Sequence, residues 1–117
     1  MNLAILGATG SIGSSTLDVV SRHRERYRVF ALTANGKADA LLALCRAHRP
    51  LYAVLSSAAP DAKLARAFRE CGTELLFGAR ALEQVAADSR TDIVMAAIKD
   101  EAYTKVERYM ELNPTEG

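Results

Sequence analysis

The sequence predicts the α/β class: three layers, with helices on both faces of a mostly parallel sheet of about five strands. Two observations lead there. Short apolar runs of strand length alternate with stretches whose apolar residues recur at helical spacing, and this happens along most of the chain. Three glycines, Gly7, Gly10 and Gly13, stand directly after the first apolar run, where the first strand hands over to the first helix. Alternation of this kind requires right-handed crossovers, which set consecutive strands parallel.

The first strand is Leu3 to Leu6, a short run apolar enough for a buried position. Ile12, Thr16, Leu17, Val19 and Val20 then repeat at helical spacing. A strand, a glycine turn and a helix in that order form a cradle for pyrophosphate. Backbone N–H groups and the positive end of the helix dipole point at the anion. Each glycine has its own expected task. Gly7 turns the chain out of the strand, Gly10 leaves the backbone open to phosphate, and Gly13 lets the helix lie close. Thr9 and Ser11 add hydroxyl donors. The G-x-x-G-x-x-G spacing is a variant of the dinucleotide fingerprint and carries a Rossmann-like fold with it.

Arg22 to Arg26 is a polar helix exit in which cations suit the negative dipole end. His23 is expected there as an exposed side chain. The second strand runs from Tyr27 to Thr33. Its tip, roughly 20 residues past the glycine turn, is where a dinucleotide fold meets the adenosine ribose. An NAD site has a carboxylate at that place. This chain has Ala34-Asn35-Gly36-Lys37, so Lys37, the Gly36 amide and Asn35 are expected to receive the 2′-phosphate of NADP(H).

Ala38 to His48 is the second helix, with Leu41, Leu42, Leu44 and Cys45 inward and His48 as partner of its dipole. It ends at Arg49-Pro50, because the residue before proline avoids the helical region. Tyr52 to Leu55 is the third strand, and Ser56 to Pro60 a loop. Pro60 is expected in the first turn of the third helix, which runs to about Cys71 and stops at Gly72. Leu64, Ala65, Phe68 and Cys71 form its inner side. Glu74 to Phe77 is the fourth strand, Ala79 to Asp88 the fourth helix, and 92–98 holds the fifth strand. Ligands of such sheets bind beyond the carboxyl ends of the strands, where strand order reverses. The glycine turn, the tip at 35–37 and the tail of the fifth strand all belong to that edge.

Whole-chain properties narrow the function. The chain has 117 residues, the size of one domain, with a hydrophobic half and a net charge of +1. That charge balance predicts neither a nucleic-acid nor a membrane partner. No apolar run approaches the roughly 20 residues of a transmembrane helix. The first strand begins almost at Met1, so no targeting peptide is expected. Cys45 and Cys71 stand apart and are expected as buried thiols in a reducing compartment, the cytoplasm. No metal site and no catalytic residue is predicted.

The run Gly-Ala-Thr-Gly-Ser-Ile-Gly followed by Ser-Ser-Thr-Leu-Asp-Val-Val, residues 7–20, resembles the start of the 1-deoxy-D-xylulose 5-phosphate reductoisomerases. These are bacterial and plastid enzymes of isoprenoid synthesis. Residues 28–34, 45–54 and 92–98 support the likeness, which covers 1–98. It implies an NADPH-binding domain. Thr9, Gly10, Ser11 and Ile12 would hold the pyrophosphate and nicotinamide side, and Asn35, Gly36 and Lys37 the 2′-phosphate end. The resemblance also implies a homodimer, and a divalent metal, Mg²⁺ or Mn²⁺, only in a full-length member.

From Lys99 onward the likeness stops. Residues 99–112 read as a helix capped by Asp100, with Tyr103, Val106, Tyr109 and Met110 as its apolar stripe, and 113–117 as a frayed end. A truncated gene, a divergent paralogue and a designed chain each fit that pattern. The chain is therefore expected to be the cofactor-binding part of a reductoisomerase, unable to turn over alone. Two alternatives stay open. One is another NADP-dependent enzyme, such as an aspartate-semialdehyde dehydrogenase-like protein, which would need a nucleophilic cysteine. The other is a non-enzymatic nucleotide-binding module.

Overall fold

The computed structural model describes residues 1–96, so the helix expected over 99–112 lies outside the described residues. The elements in chain order are β1 (Asn2–Leu6), α1 (Ser11–Arg22), β2 (Arg28–Ala34), α2 (Ala38–His48), β3 (Tyr52–Leu55), α3 (Ala62–Arg69), β4 (Glu74–Phe77), α4 (Ala79–Ala87) and β5 (Ile93–Ala96). The strands form one sheet in the order β4-β3-β2-β1-β5. Every neighbouring pair is parallel. The chain walks outward from β1 to β4 and then returns to the far side of β1, so strand order reverses between β1 and β5.

Side-chain alternation along β1 shows why its whole run is apolar. Leu3 and Ile5 enter one core with Leu17 and Val20 of α1, Leu41 and Cys45 of α2, and Phe68 of α3. Ala4 points to the opposite face and packs with Phe30, Val54 and Ala81 and Val85 of α4. Leu6 joins Ala86 and Val94 on that same face. Three helices thus cover one face and α4 the other. A strand buried on both sides cannot show the polar alternation of a half-exposed one.

Some helix ends depart from the expectation. Pro60 is not in the first turn of α3. Asp61 is the N-cap, and its Oδ1 accepts from the backbone N–H of Lys63 at 2.9 Å and Leu64 at 3.3 Å. A carboxylate cap satisfies donors that a proline only avoids having. α2 does stop before Pro50, but through Arg49 in the left-handed region, φ 48°, with its N–H donating to the Cys45 carbonyl at 2.8 Å. His48 stands in that last turn with Arg46, at the dipole end where it is expected, and burial, then the charge of Arg24, hold its pKa below the ordinary imidazole value. Of the inner residues expected in α3, Phe68 alone is fully buried, and Cys71 is half-buried rather than enclosed.

Near the amino-terminal ends of the strands, Arg90 closes the α4 face. Its guanidinium stands 5.1 Å from the Phe30 ring centre and 5.5 Å from that of Tyr52. It also donates to the Asp88 carboxylate at 2.9 and 3.0 Å and to the Tyr52 hydroxyl at 3.1 Å. The hydrogen bond from Arg90 holds Asp88 below the usual carboxylate range.

Candidate functional site

The site is built at the carboxyl ends of the strands, next to the reversal between β1 and β5. Gly7 leaves β1 with φ +72°, a conformation that side chains rarely adopt. The loop is then tied to β2. Gly7 donates its N–H to Thr33 Oγ1 at 3.1 Å, and Ala8 donates to the Thr33 carbonyl at 2.8 Å. Thr33, almost fully buried, is thus the residue that fixes where the loop stands.

Gly10 caps α1 with φ −83° and ψ 176°, and no side chain bonds to the helix end. The first bond inside the helix is Ser14 N–H to the Gly10 carbonyl, 3.0 Å. The N–H groups of Ser11, Ile12 and Gly13 therefore have no acceptor within the helix. No acidic side chain occupies this first turn. Such an end offers several aligned donors and a positive partial charge to an anion.

The three glycines separate by physical cause. A methyl group at Gly13 would lie 2.4 Å from the Ala8 carbonyl oxygen and 2.7 Å from Ala8 Cα. Hence Gly13 is required by the packing of α1 on the loop beneath it. A methyl at Gly10 would meet only the Gly7 carbonyl, at 3.8 Å, and its φ suits any residue. Neither packing nor backbone strain requires a glycine there, whereas the open approach of an anion to the helix end does. That open approach is the observation by which the residues fit a pyrophosphate.

A cavity of about 320 Å³ extends from this loop to the tip of β2. It is lined by Gly7, Thr9, Gly10, Ser11 and Ile12, then Thr33, Ala34, Asn35 and Lys37, with Ser56 and Leu82 closing it. Seven of the nine residues expected from sequence thus share one cavity. Gly13 lies below it as a packing residue. Gly36 is outside the lining, exposed, with no atom within 4 Å of the place a Cβ would take. Lys37 is exposed and forms the N-cap position of α2 without a side-chain cap.

Thr33, Ala34, Ser56 and Leu82 were not expected. Ser56 carried a signal, since it directly follows a strand and so sits on the ligand-binding edge. Its hydroxyl donates to Asn35 Oδ1 at 2.9 Å, and its N–H donates to the Ala34 carbonyl at 2.9 Å. Leu82 comes from α4 on the other face, which nothing in its local sequence reveals.

Among the described residues no group of three or more His, Cys, Asp or Glu side chains could hold a metal ion. Cys45 is buried, and burial pushes its thiol up to about 12, so it is a packing group and not a nucleophile.

A family model described as 1-deoxy-D-xylulose 5-phosphate reductoisomerase matches residues 3–103. The chain belongs to that family. The match runs past Ile98 into the segment where the motif likeness ends. Among relatives of that name, the protein of Methylobacillus flagellatus is 54% identical over 97 residues, covering 83% of this chain and 25% of the relative. The protein of Ralstonia pickettii is 57% identical over 100 residues, covering 84% and 25%. This reductoisomerase-family chain therefore spans about a quarter of the length of the curated relatives it matches.

Solved structures agree. A DOX-P reductoisomerase in complex with NADPH, fosmidomycin and magnesium superposes with a TM-score of 0.75 at 42% identity, covering 84% of this chain and 24% of that one. The reductoisomerase of Zymomonas mobilis in complex with NADPH gives 0.74 at 38% identity, covering 83% and 25%. The Rossmann-like fold expected from the glycine turn is the fold of this family's chain. No helix among the described residues is long and apolar enough to cross a membrane.

Proposed function

We propose that this chain is an NADPH-binding unit of the reductoisomerase type, with residues 1–98 as the cofactor domain and 99–117 outside it. The observation that carries the reading is Gly10. It stands at an uncapped helix end, facing the cavity, where neither backbone strain nor packing asks for a glycine. In this reading Thr9, Gly10, Ser11 and Ile12 take the pyrophosphate and nicotinamide side. Asn35, Gly36 and Lys37 take the 2′-phosphate, and Gly7 and Gly13 shape the loop. Two relatives solved with NADPH support the cofactor class. The tip at Asn35–Lys37, without a carboxylate, supports NADP(H) over NAD(H).

NADPH would supply hydride when bound. The residues named here bind and orient it, and buried Thr33 keeps the loop in register with β2. The family match sets aside the dehydrogenase alternative. The free thiols of Cys45 and Cys71 suit a reducing cytoplasm. The test is calorimetric titration of the whole chain with NADPH, NADH and an unrelated nucleotide such as GTP. Saturable binding of NADPH, tighter than NADH and absent for GTP, is expected. Equal weak heats for all three would overturn the proposal.

A further inference from the structure

Ser56 joins the cavity from a strand that neither the glycine turn nor the β2 tip belongs to. Two backbone hydrogen bonds tie the end of β3 to the end of β2: Ser56 N–H donates to the Ala34 carbonyl at 2.9 Å and Ser57 N–H to the Asn35 carbonyl at 3.0 Å. The Ser56 hydroxyl has two acceptors in reach, Asn35 Oδ1 at 2.9 Å and the Ala34 carbonyl at 3.4 Å, and the shorter contact fixes a side chain. A primary amide is two-sided: its oxygen accepts and its nitrogen donates. Whichever side Ser56 engages, the other is left for the cavity.

Resting on the cofactor reading above, we infer that Ser56 is a positioning residue for cofactor choice. Its hydroxyl engages the Asn35 oxygen, which leaves the Asn35 NH₂ group to donate to a 2′-phosphate beside Lys37. The reversed amide would present an oxygen to that phosphate and repel it. Charge at the two strand tips agrees. Residues 34–37 and 56–60 contain no carboxylate. The next acidic residue after β3, Asp61, is engaged in capping α3. NADH has a hydroxyl at the same place, which both donates and accepts, so it is indifferent to the orientation of the amide.

The experiment is calorimetry with NADPH and NADH on the whole chain, its S56A, S56T and N35A variants, and the S56A/N35A double variant, each checked for an unchanged melting transition. Loss of one positioning hydrogen bond predicts about threefold to tenfold weaker NADPH binding in S56A. NADH affinity should move by less than about twofold. Ser56→Thr keeps the hydroxyl and should restore the wild-type ratio. In the N35A background, adding S56A should cost nothing more, because the amide it positions is gone. Equal losses for both cofactors, or an undiminished S56A loss without Asn35, would overturn the inference. A wild-type chain that prefers NADPH while S56A keeps the same preference would overturn the inference alone. A wild-type chain that binds neither dinucleotide would overturn the proposed function too.

Discussion

Gly10→Val and Gly13→Ala should fail in opposite ways, although the two glycines are neighbours in one motif. At Gly10 the backbone is ordinary, φ −83°, and a Cβ would meet only an oxygen 3.8 Å away. Losing glycine at an N-cap costs helix stability, while reduced freedom of the unfolded chain returns about 0.4–1 kcal/mol. The two nearly offset, so the melting transition should hold to within about 1 kcal/mol. Binding should not hold. The branched side chain would stand over the donors of Ser11, Ile12 and Gly13. Two charge-assisted hydrogen bonds lost at about 1.5–3 kcal/mol each give roughly two to four decades of NADPH affinity. At Gly13 the added carbon falls 2.4 Å from the Ala8 carbonyl oxygen, and main chain cannot swing away as a flexible side chain does. Overpacking of that kind costs about 1–3 kcal/mol, or more where backbone is displaced. Calorimetry with NADPH and thermal unfolding on both variants check the pair. A folded G10V that binds NADPH at wild-type affinity would refute the assignment of Gly10 to the ligand. An unshifted G13A melt would refute the packing argument.

Other outcomes follow from the same site and fold. Lys37→Glu should weaken NADPH by about one to two decades, from a charge-assisted contact of about 1.5–3 kcal/mol, and narrow or reverse the preference over NADH. Competitive titration reads the ratio, and equal losses for both cofactors would remove Lys37 from the 2′-phosphate. Asp61→Ala should destabilise the chain by about 1 kcal/mol through loss of the α3 cap, as measured by urea unfolding, with NADPH affinity unchanged. In native chain at neutral pH, iodoacetamide should modify half-buried Cys71 and leave Cys45, held near 12, unlabelled by mass spectrometry. The chain should bind NADPH yet not reduce 1-deoxy-D-xylulose 5-phosphate with Mg²⁺ or Mn²⁺ present. Metal-dependent NADPH oxidation proportional to protein concentration, in preparations cleared of full-length enzyme, would refute that.

The sequence exposes those parts of the fold that one segment decides by itself. Ala38–His48, Tyr52–Leu55 and Glu74–Phe77 carry their bounds as read, because period and turn residues set both ends locally. The start of α3 was misplaced because Pro60 and Asp61 both signal a helix start, and the choice depends on whether the carboxylate reaches two N–H groups. The lowered pKa of His48 is illegible for a related reason: a helix end favours a cation, burial and Arg24 oppose one, and burial is not a local property. The candidate site divides in the same manner. The glycine loop and the tip at 35–37 each form within one strand–helix join, so both are legible. Ser56 and Leu82 reach the cavity only through the order β4-β3-β2-β1-β5 and through α4 crossing to the other face.

A glycine motif becomes informative about ligands only when the glycines that the fold needs are subtracted. Gly7 is used up by a positive φ and Gly13 by contact with Ala8. Had all three glycines been explained in such ways, the motif would describe a tight strand-to-helix turn and nothing else. Gly10 is left over, and it is left over at the one position where a side chain would cover the free end of α1. Its surroundings are consistent with that role. The helix start has no capping side chain and no carboxylate in its first turn. Either would satisfy the donors internally and stabilise the empty loop. Their absence from this first turn leaves the donors to water or to an anion, and the cavity beside them continues to a second tip that carries a lysine. A dinucleotide with phosphate groups at two separated points matches that spacing of positive sites better than a single phosphate, which would engage the helix end and leave Lys37 idle.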